Sequence, residues 1–154
     1  GYSTYGLISQ TSRFRSAIAL AGLSELISLY GELTPRSRYG DEAHADTYQM
    51  ELAESGQIRM GSPPWEDMGR YIRNSPLSYV GRVETPVLIV QGDLDYVTIT
   101  QGEQFFMSLM RQNKRARFIR YWGEEHVLSS PANIRHLWDQ IFRWLDETLG
   151  SADG

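Results

Sequence analysis

Three short apolar runs stand out from an otherwise mixed chain: "RSAIALAG" (Arg15 to Gly22), "PVLIVQG" (Pro86 to Gly92) and "ARFIRYWG" (Ala116 to Gly123). Each has the length of a strand and ends at glycine. The second is almost continuously branched-aliphatic, as a central parallel strand covered on both faces must be. The third alternates, which places it nearer an edge. Helical periodicity fills the segments that follow. Phe105, Phe106, Leu109 and Met110 share one helical face, and Thr100 with Glu103 fits a capping box opening that helix. The last helix is predicted to start at Ser130-Pro131, bury Ile134, Leu137, Trp138, Ile141, Phe142 and Leu145, and stop at Gly150.

Residues 34–64 break the pattern, being rich in Pro, Gly, Ser and charge, with one predicted helix over Thr47 to Glu54. They read as an irregular excursion between the first strand and the helix of "PWEDMGRYIRNSP". The order of strand, excursion, helix, strand, helix, strand, helix predicts an α/β fold with a mostly parallel sheet flanked by helices. Residues 1–150 form the folded part, and "SADG" (151–154) is expected to be a frayed tail.

Composition narrows the chemistry. The chain has 154 residues, 41% hydrophobic and 22% charged, within the range of globular domains. A net charge of −4 provides no basic face for nucleic acid. The basic stretch from Arg111 to Arg120 is interrupted by Phe118 and Ile119 and reads as a helix end entering an exposed strand. With no cysteine, disulfides, thiolate metal sites and cysteine nucleophiles are excluded. No apolar run reaches the ~18 residues of a membrane span. "DEAHAD" (Asp41 to Asp46) has metal-ligand residue types, but its flanks are irregular and no second ligand cluster completes it. It reads as a hydrated acidic loop, and no metal or cofactor is expected.

Chemistry in a parallel sheet gathers beyond the carboxyl ends of its strands. After "PVLIVQG" come Asp93, Leu94 and Asp95; after "ARFIRYWG" come Glu124, Glu125 and His126. An acid on one such loop and a histidine on the next can act as a relay. The carboxylate fixes the imidazole tautomer through Nδ1–H and leaves Nε2 to take a proton from a nucleophile. The order Ser, Asp, His along the chain is that of α/β-hydrolases. Asp93 competes with Asp95 for the acid role, although an Asp at this position also serves simply as a turn former. His136 lies off the apolar stripe of the last helix and is expected to be solvated.

"SPLSYVGRVETPVLIVQGDLDYV" and "QGEQFFMSLMRQNKRARFIRYWGEEHVL" resemble the catalytic domain of the prolyl oligopeptidase family of serine peptidases, in its acylaminoacyl-peptidase and dipeptidyl-peptidase-like branches. The resemblance extends from "TSRFRSAIALAGLSELISLYG" to the terminal helix. Its most specific parts are Thr85-Pro86 entering the strand, the Gly-x-x-Asp turn and the Gly-x-x-His turn. It implies that Asp95 is the triad acid and His126 the triad base, with no cofactor. It also implies that Tyr96 and Val97, on the loop after the acid, contribute to a substrate pocket. Trp65 could line that pocket as well, whereas Trp122 is expected to pack at its strand end. Family members have a longer spacing between the acid and the next valine; here only Tyr96 intervenes.

The serine is less direct. "GYSTYGLISQ" contains a Gly-x-Ser, but Tyr5 stands where a nucleophile elbow requires a small residue. From Ser3 to Arg13 there is room for only about two helical turns at ~3.6 residues each, short for the helix behind an elbow. Family sequences of the type Gly-x-Ser-x-Gly-Gly-Tyr-x-Thr, aligned backwards from "QTSRF", put their last glycine on Gly1 and their serine just upstream of it. The resemblance therefore implies the C-terminal portion of an α/β-hydrolase domain, without its earlier strands, oxyanion donor and preceding β-propeller. The first strand would then keep an open edge, which favours association, including homo-oligomers. The expected activity of the parent protein is hydrolysis of short peptides. The alternatives are an esterase on the same fold, and a catalytically inactive fragment.

Overall fold

The computed structural model describes residues 1–39 and 47–150. The acidic stretch Asp41–Asp46 and the tail 151–154 lie outside the described residues. Three parallel strands, β1 (Ala17–Leu20), β2 (Val87–Gly92) and β3 (Ala116–Tyr121), form one sheet in the order β1-β2-β3. Ala17 pairs with Val87 and Val87 with Ala116, so the three strands run in step. Every residue of β2 is buried, as its unbroken apolar sequence demands. Covering Val87, Leu88, Ile89 and Val90 is worth about 1.5–3 kcal/mol for each side chain. β3 is only partly covered and forms an edge, as its alternation predicts.

The helices are α1 (Tyr2–Ile8), α2 (Leu26–Gly31), α3 (Pro35–Arg38), α4 (Tyr48–Glu54), α5 (Met68–Asn74), α6 (Ile99–Arg111) and α7 (Pro131–Leu149). A 3-10 segment, Pro76–Arg82, leads into β2. Odd positions of β2 face α1 and α6, where Tyr5, Ile8, Val87, Ile89, Phe105 and Leu109 form one core. Even positions face α7, where Leu88 and Val90 meet Leu137, Ile141 and Trp144. A third cluster caps the carboxyl ends of the strands, with Leu26 and Leu29 of α2, Ala53 of α4, Tyr71 of α5 and Val97. The described parts of the excursion thus belong to a small helical cap, and its predicted helix over Thr47–Glu54 is α4.

The caps of two helices differ from expectation. α6 begins at Ile99 with Thr98 as its N-cap residue, and neither Thr98 nor Thr100 caps the helix. Both hydroxyls instead donate to the carboxylate of Glu32, which follows α2. Glu103 pairs with Arg120 across to β3 at 3.4 Å rather than reaching back. The capping box is overridden because a tertiary carboxylate outcompetes a local bond for the same hydroxyls. At α7, Ser130 has no capping side-chain bond. Glu124 takes that role, accepting from Ser129 N at 2.6 Å and Ser130 N at 3.1 Å.

The buried stripe of α7 is also rotated from the predicted one. Leu137, Ile141 and Trp144 face the sheet, while Trp138 and Phe142 are 53% and 59% exposed and lie against each other. Trp144 donates its indole N–H to Ala17 O at 3.2 Å, which fixes the helix rotation over β1.

Candidate active site

The chain reaches the site at two strand ends that are tied together. A Cβ on Gly92 would stand 2.3 Å from the carbonyl oxygen of Glu124, so only glycine lets the turn after β2 close on the turn after β3. Leu94 N donates to Glu124 O at 3.0 Å. Asp93 Oδ1 accepts from Gly123 N at 2.6 Å. Asp93 is therefore a staple between the two turns, and it leaves the inward position to Asp95.

Asp95 is fully buried. Its Oδ1 accepts the Val97 N–H at 2.8 Å. His126 Nδ1 stands 2.9 Å from Oδ1 and 3.1 Å from Oδ2. With the proton on Nδ1, the imidazole donates to the carboxylate and presents Nε2 outward. Burial pushes the Asp95 carboxyl above its ordinary range, and the Val97 N–H and His126 partly offset this. The chemistry open to such a pair is proton transfer at Nε2, with the imidazolium stabilised by a fixed negative charge.

Tyr96 lies over His126 with ring centroids 4.5 Å apart and planes 24° from parallel. Its hydroxyl is 3.3 Å from Nε2. Tyr96 borders two of the cavities around the imidazole. One, of about 260 Å³, is lined by Gly1, Ser3, Leu23, Leu52, Ile58 and Val97. The other, of about 500 Å³, is bounded by Pro35, Tyr48, Leu94 and Glu125. His126 borders both, and also a third of about 320 Å³ beside Val90, Val127 and Leu128.

The remaining candidates sort clearly. Val97 is 3% exposed, so its side chain belongs chiefly to the core of the cap while its N–H serves Asp95. Ser3 is exposed on the first turn of α1, and the side-chain hydrogen bonds of His126 run to Asp95 and Tyr96. Trp65 packs edge-on against Tyr30, away from both cavities. Trp122 does not pack as expected: it is 70% exposed with Arg120 over its ring. His136 is exposed but lies 2.9 Å from the Tyr121 hydroxyl.

The start of α1 carries a further constraint. A Cβ on Gly1 would fall 2.2 Å from Gly22 Cα and 2.6 Å from Leu20 O. The backbone entering α1 is thus pressed onto the end of β1, beside the small cavity. Glu124 went unnoticed in the sequence as a functional candidate. It is 2% exposed, and its carboxyl is held below the ordinary range by N–H donors from Ser129 and the Asn133 amide. Only its position between the Gly turn and the final helix marked it. Among the described residues no group of three or more His, Asp or Glu converges as a metal site, and no helix is long and apolar enough to cross a membrane.

Known proteins resemble this chain along nearly its whole length. Uncharacterized peptidase YuxL of Bacillus subtilis (strain 168) is 29% identical over 154 residues, taking in 97% of this chain and 21% of the relative. Dipeptidyl-peptidase 5 of Porphyromonas endodontalis is 30% identical over 156 residues, or 97% of this chain and 20% of the relative. The chain thus spans about a fifth of the length of these relatives. Among solved structures, a Mycobacterium tuberculosis puromycin-hydrolyzing peptidase superposes with a TM-score of 0.77 at 25% identity, over 97% of this chain and 20% of that one. Pyrococcus horikoshii acylaminoacyl peptidase, at 21% identity and a TM-score of 0.74, covers 95% of this chain and 22% of its own, and shares the fold. The model of the prolyl oligopeptidase family matches residues 1–152, and the chain belongs to that family.

Proposed function

We propose that the full-length protein is a serine peptidase acting on short peptides, with Asp95 as triad acid and His126 as triad base. The observation that carries this reading is the 2.9 Å contact of His126 Nδ1 with a carboxylate that has no exposed surface. In the reaction, Nε2 takes the proton of the attacking serine as it adds to the scissile carbonyl. The same nitrogen then returns the proton to the leaving amine, while Asp95 holds the ring and balances its charge. Tyr96 and Val97 border the small cavity, whose wall is mixed, with Leu23, Leu52 and Ile58 beside Ser3 and Gln57.

The serine of this reading precedes Gly1, which closes the nucleophile turn. Two observations support that placement. Gly1 sits where no side chain fits against Gly22, the requirement for a glycine behind an elbow. Ser3 lies in the first turn of α1 and is not bonded to the imidazole. The strands before the elbow would then pair along the open side of β1, which among the described residues is bonded only to β2.

The test is covalent labelling of the full-length protein with a fluorophosphonate, followed by mapping of the modified residue. Labelling of a serine just upstream of Gly1, lost in His126→Ala, is expected. Labelling at Ser3 would overturn the placement, and none at all would favour an inactive protein. Turnover of aminoacyl-arylamides against short acyl esters separates a peptidase from an esterase on the same fold. The peptidase reading predicts arylamide turnover.

A further inference from the structure

The carbonyls of the loop that presents Asp95 are not held by backbone bonds alone. Gln91, in the central strand, donates its amide to Val97 O at 2.6 Å and to Thr98 O at 3.3 Å. Gln49, on α4, donates to Tyr96 O at 2.5 Å. Three successive carbonyls just after Asp95 are thus gripped by two glutamine amides from different elements. Both glutamines are 1% exposed.

Their orientation is determined, because a carbonyl can be met only by the NH₂ end of the amide. Both Oε1 atoms are consequently buried without a partner among the described residues. A buried unpaired acceptor is costly, so a fold choosing residues for stability alone would place an apolar side chain here. Room for Gln91 is also provided specifically: a Cβ on Gly102 of α6 would meet Gln91 Oε1 at 2.8 Å. The loop carries Val97 N–H to Asp95 Oδ1 at 2.8 Å, so shifting these carbonyls moves the donor that orients the carboxylate.

We infer that Gln49 and Gln91 are positioning residues, a pair of buried amides that hold the loop after Asp95 so that Asp95 meets His126 in register. Through Gln49, the helical cap is coupled to the reacting pair. The inference rests on the reading of Asp95 and His126 as acid and base of a hydrolytic triad.

Gln91→Met and Gln49→Met, made singly in the full-length protein, keep side-chain length and remove the donors. The expected result for each is a fall in kcat of about 10- to 100-fold on an aminoacyl-arylamide, with KM within about twofold. In an Asp95→Asn background the same changes should cost less than about threefold, since both act through one pair. A role in stability alone would lower kcat by the same factor in both backgrounds and would overturn the inference, as would an unchanged kcat. Gln49→Met, on the outer helix, answers the question if the central-strand variant fails to fold. If His126→Ala keeps full turnover, the triad reading itself fails. If His126→Ala abolishes turnover while both methionine variants retain it, only the amide clamp fails.

Discussion

Asp95 is wholly buried, while the imidazole it holds, that of His126, leaves 39% of its side chain exposed. The carboxylate is part of the core, and the imidazole stands at the surface of three cavities. This division carries a cost. A charge placed in the core loses hydration that one hydrogen-bonded N–H and one imidazole only partly replace.

That cost gives a prediction for pH. Burial raises the Asp95 carboxyl above its ordinary range, so the folded state keeps this proton to higher pH than the unfolded chain does. The contribution of the group to stability is then fullest below the ordinary carboxylate value and declines as pH rises through the raised one. Asp95→Asn removes the decline. Thermal unfolding followed from mildly acidic to neutral pH should show a flatter profile with no loss of Tm at neutral pH, while turnover falls about 10⁴-fold. A steeper profile, or retained turnover, contradicts the assignment.

Glu124 has the opposite sign. N–H donors at the start of α7 hold its carboxyl below the ordinary range. Its stabilisation is therefore present above the ordinary carboxylate value and is lost as pH falls through the depressed one. Glu124→Ala leaves the Ser129 and Ser130 amides and the Asn133 side chain without their acceptor. The variant should lose several degrees of Tm at neutral pH and show a shallower acid limb; an unchanged Tm would rule out the capping role.

Gly1→Ala tests the close approach of α1 to β1. Its Cβ would meet backbone atoms of Gly22 and Leu20, which cannot swing aside as a side chain can. Chemical denaturation of the full-length protein should show a loss of about 1–3 kcal/mol, the range for overpacking. Wild-type stability would mean that the two backbones are not held together.

How far these features could be read in advance depends on what fixes them. The sheet was legible because β2 is buried on both faces and its sequence has no other use for such a run. The Asp95 and His126 positions were legible because each follows a glycine turn at a strand end. The capping box at Thr100 was not, since Glu32, distant in sequence, claims the hydroxyls. The rotation of α7 was missed because Trp138 and Phe142 fit an apolar stripe as well as Trp144 does. What separates them is the bond from Trp144 to Ala17 O, a contact no local pattern encodes. Gln49 and Gln91 carried no signal at all, as a glutamine in a strand or helix is ordinarily a surface residue.

The most direct measurement is kcat/KM of the full-length protein and its His126→Ala variant on an aminoacyl-arylamide. Loss of the base at Nε2 should lower kcat/KM about 10⁴-fold or more, with the fold intact by circular dichroism. A variant within about tenfold of the wild type would show that His126 does not carry the proton, and the assignment of the Asp95–His126 pair would be wrong.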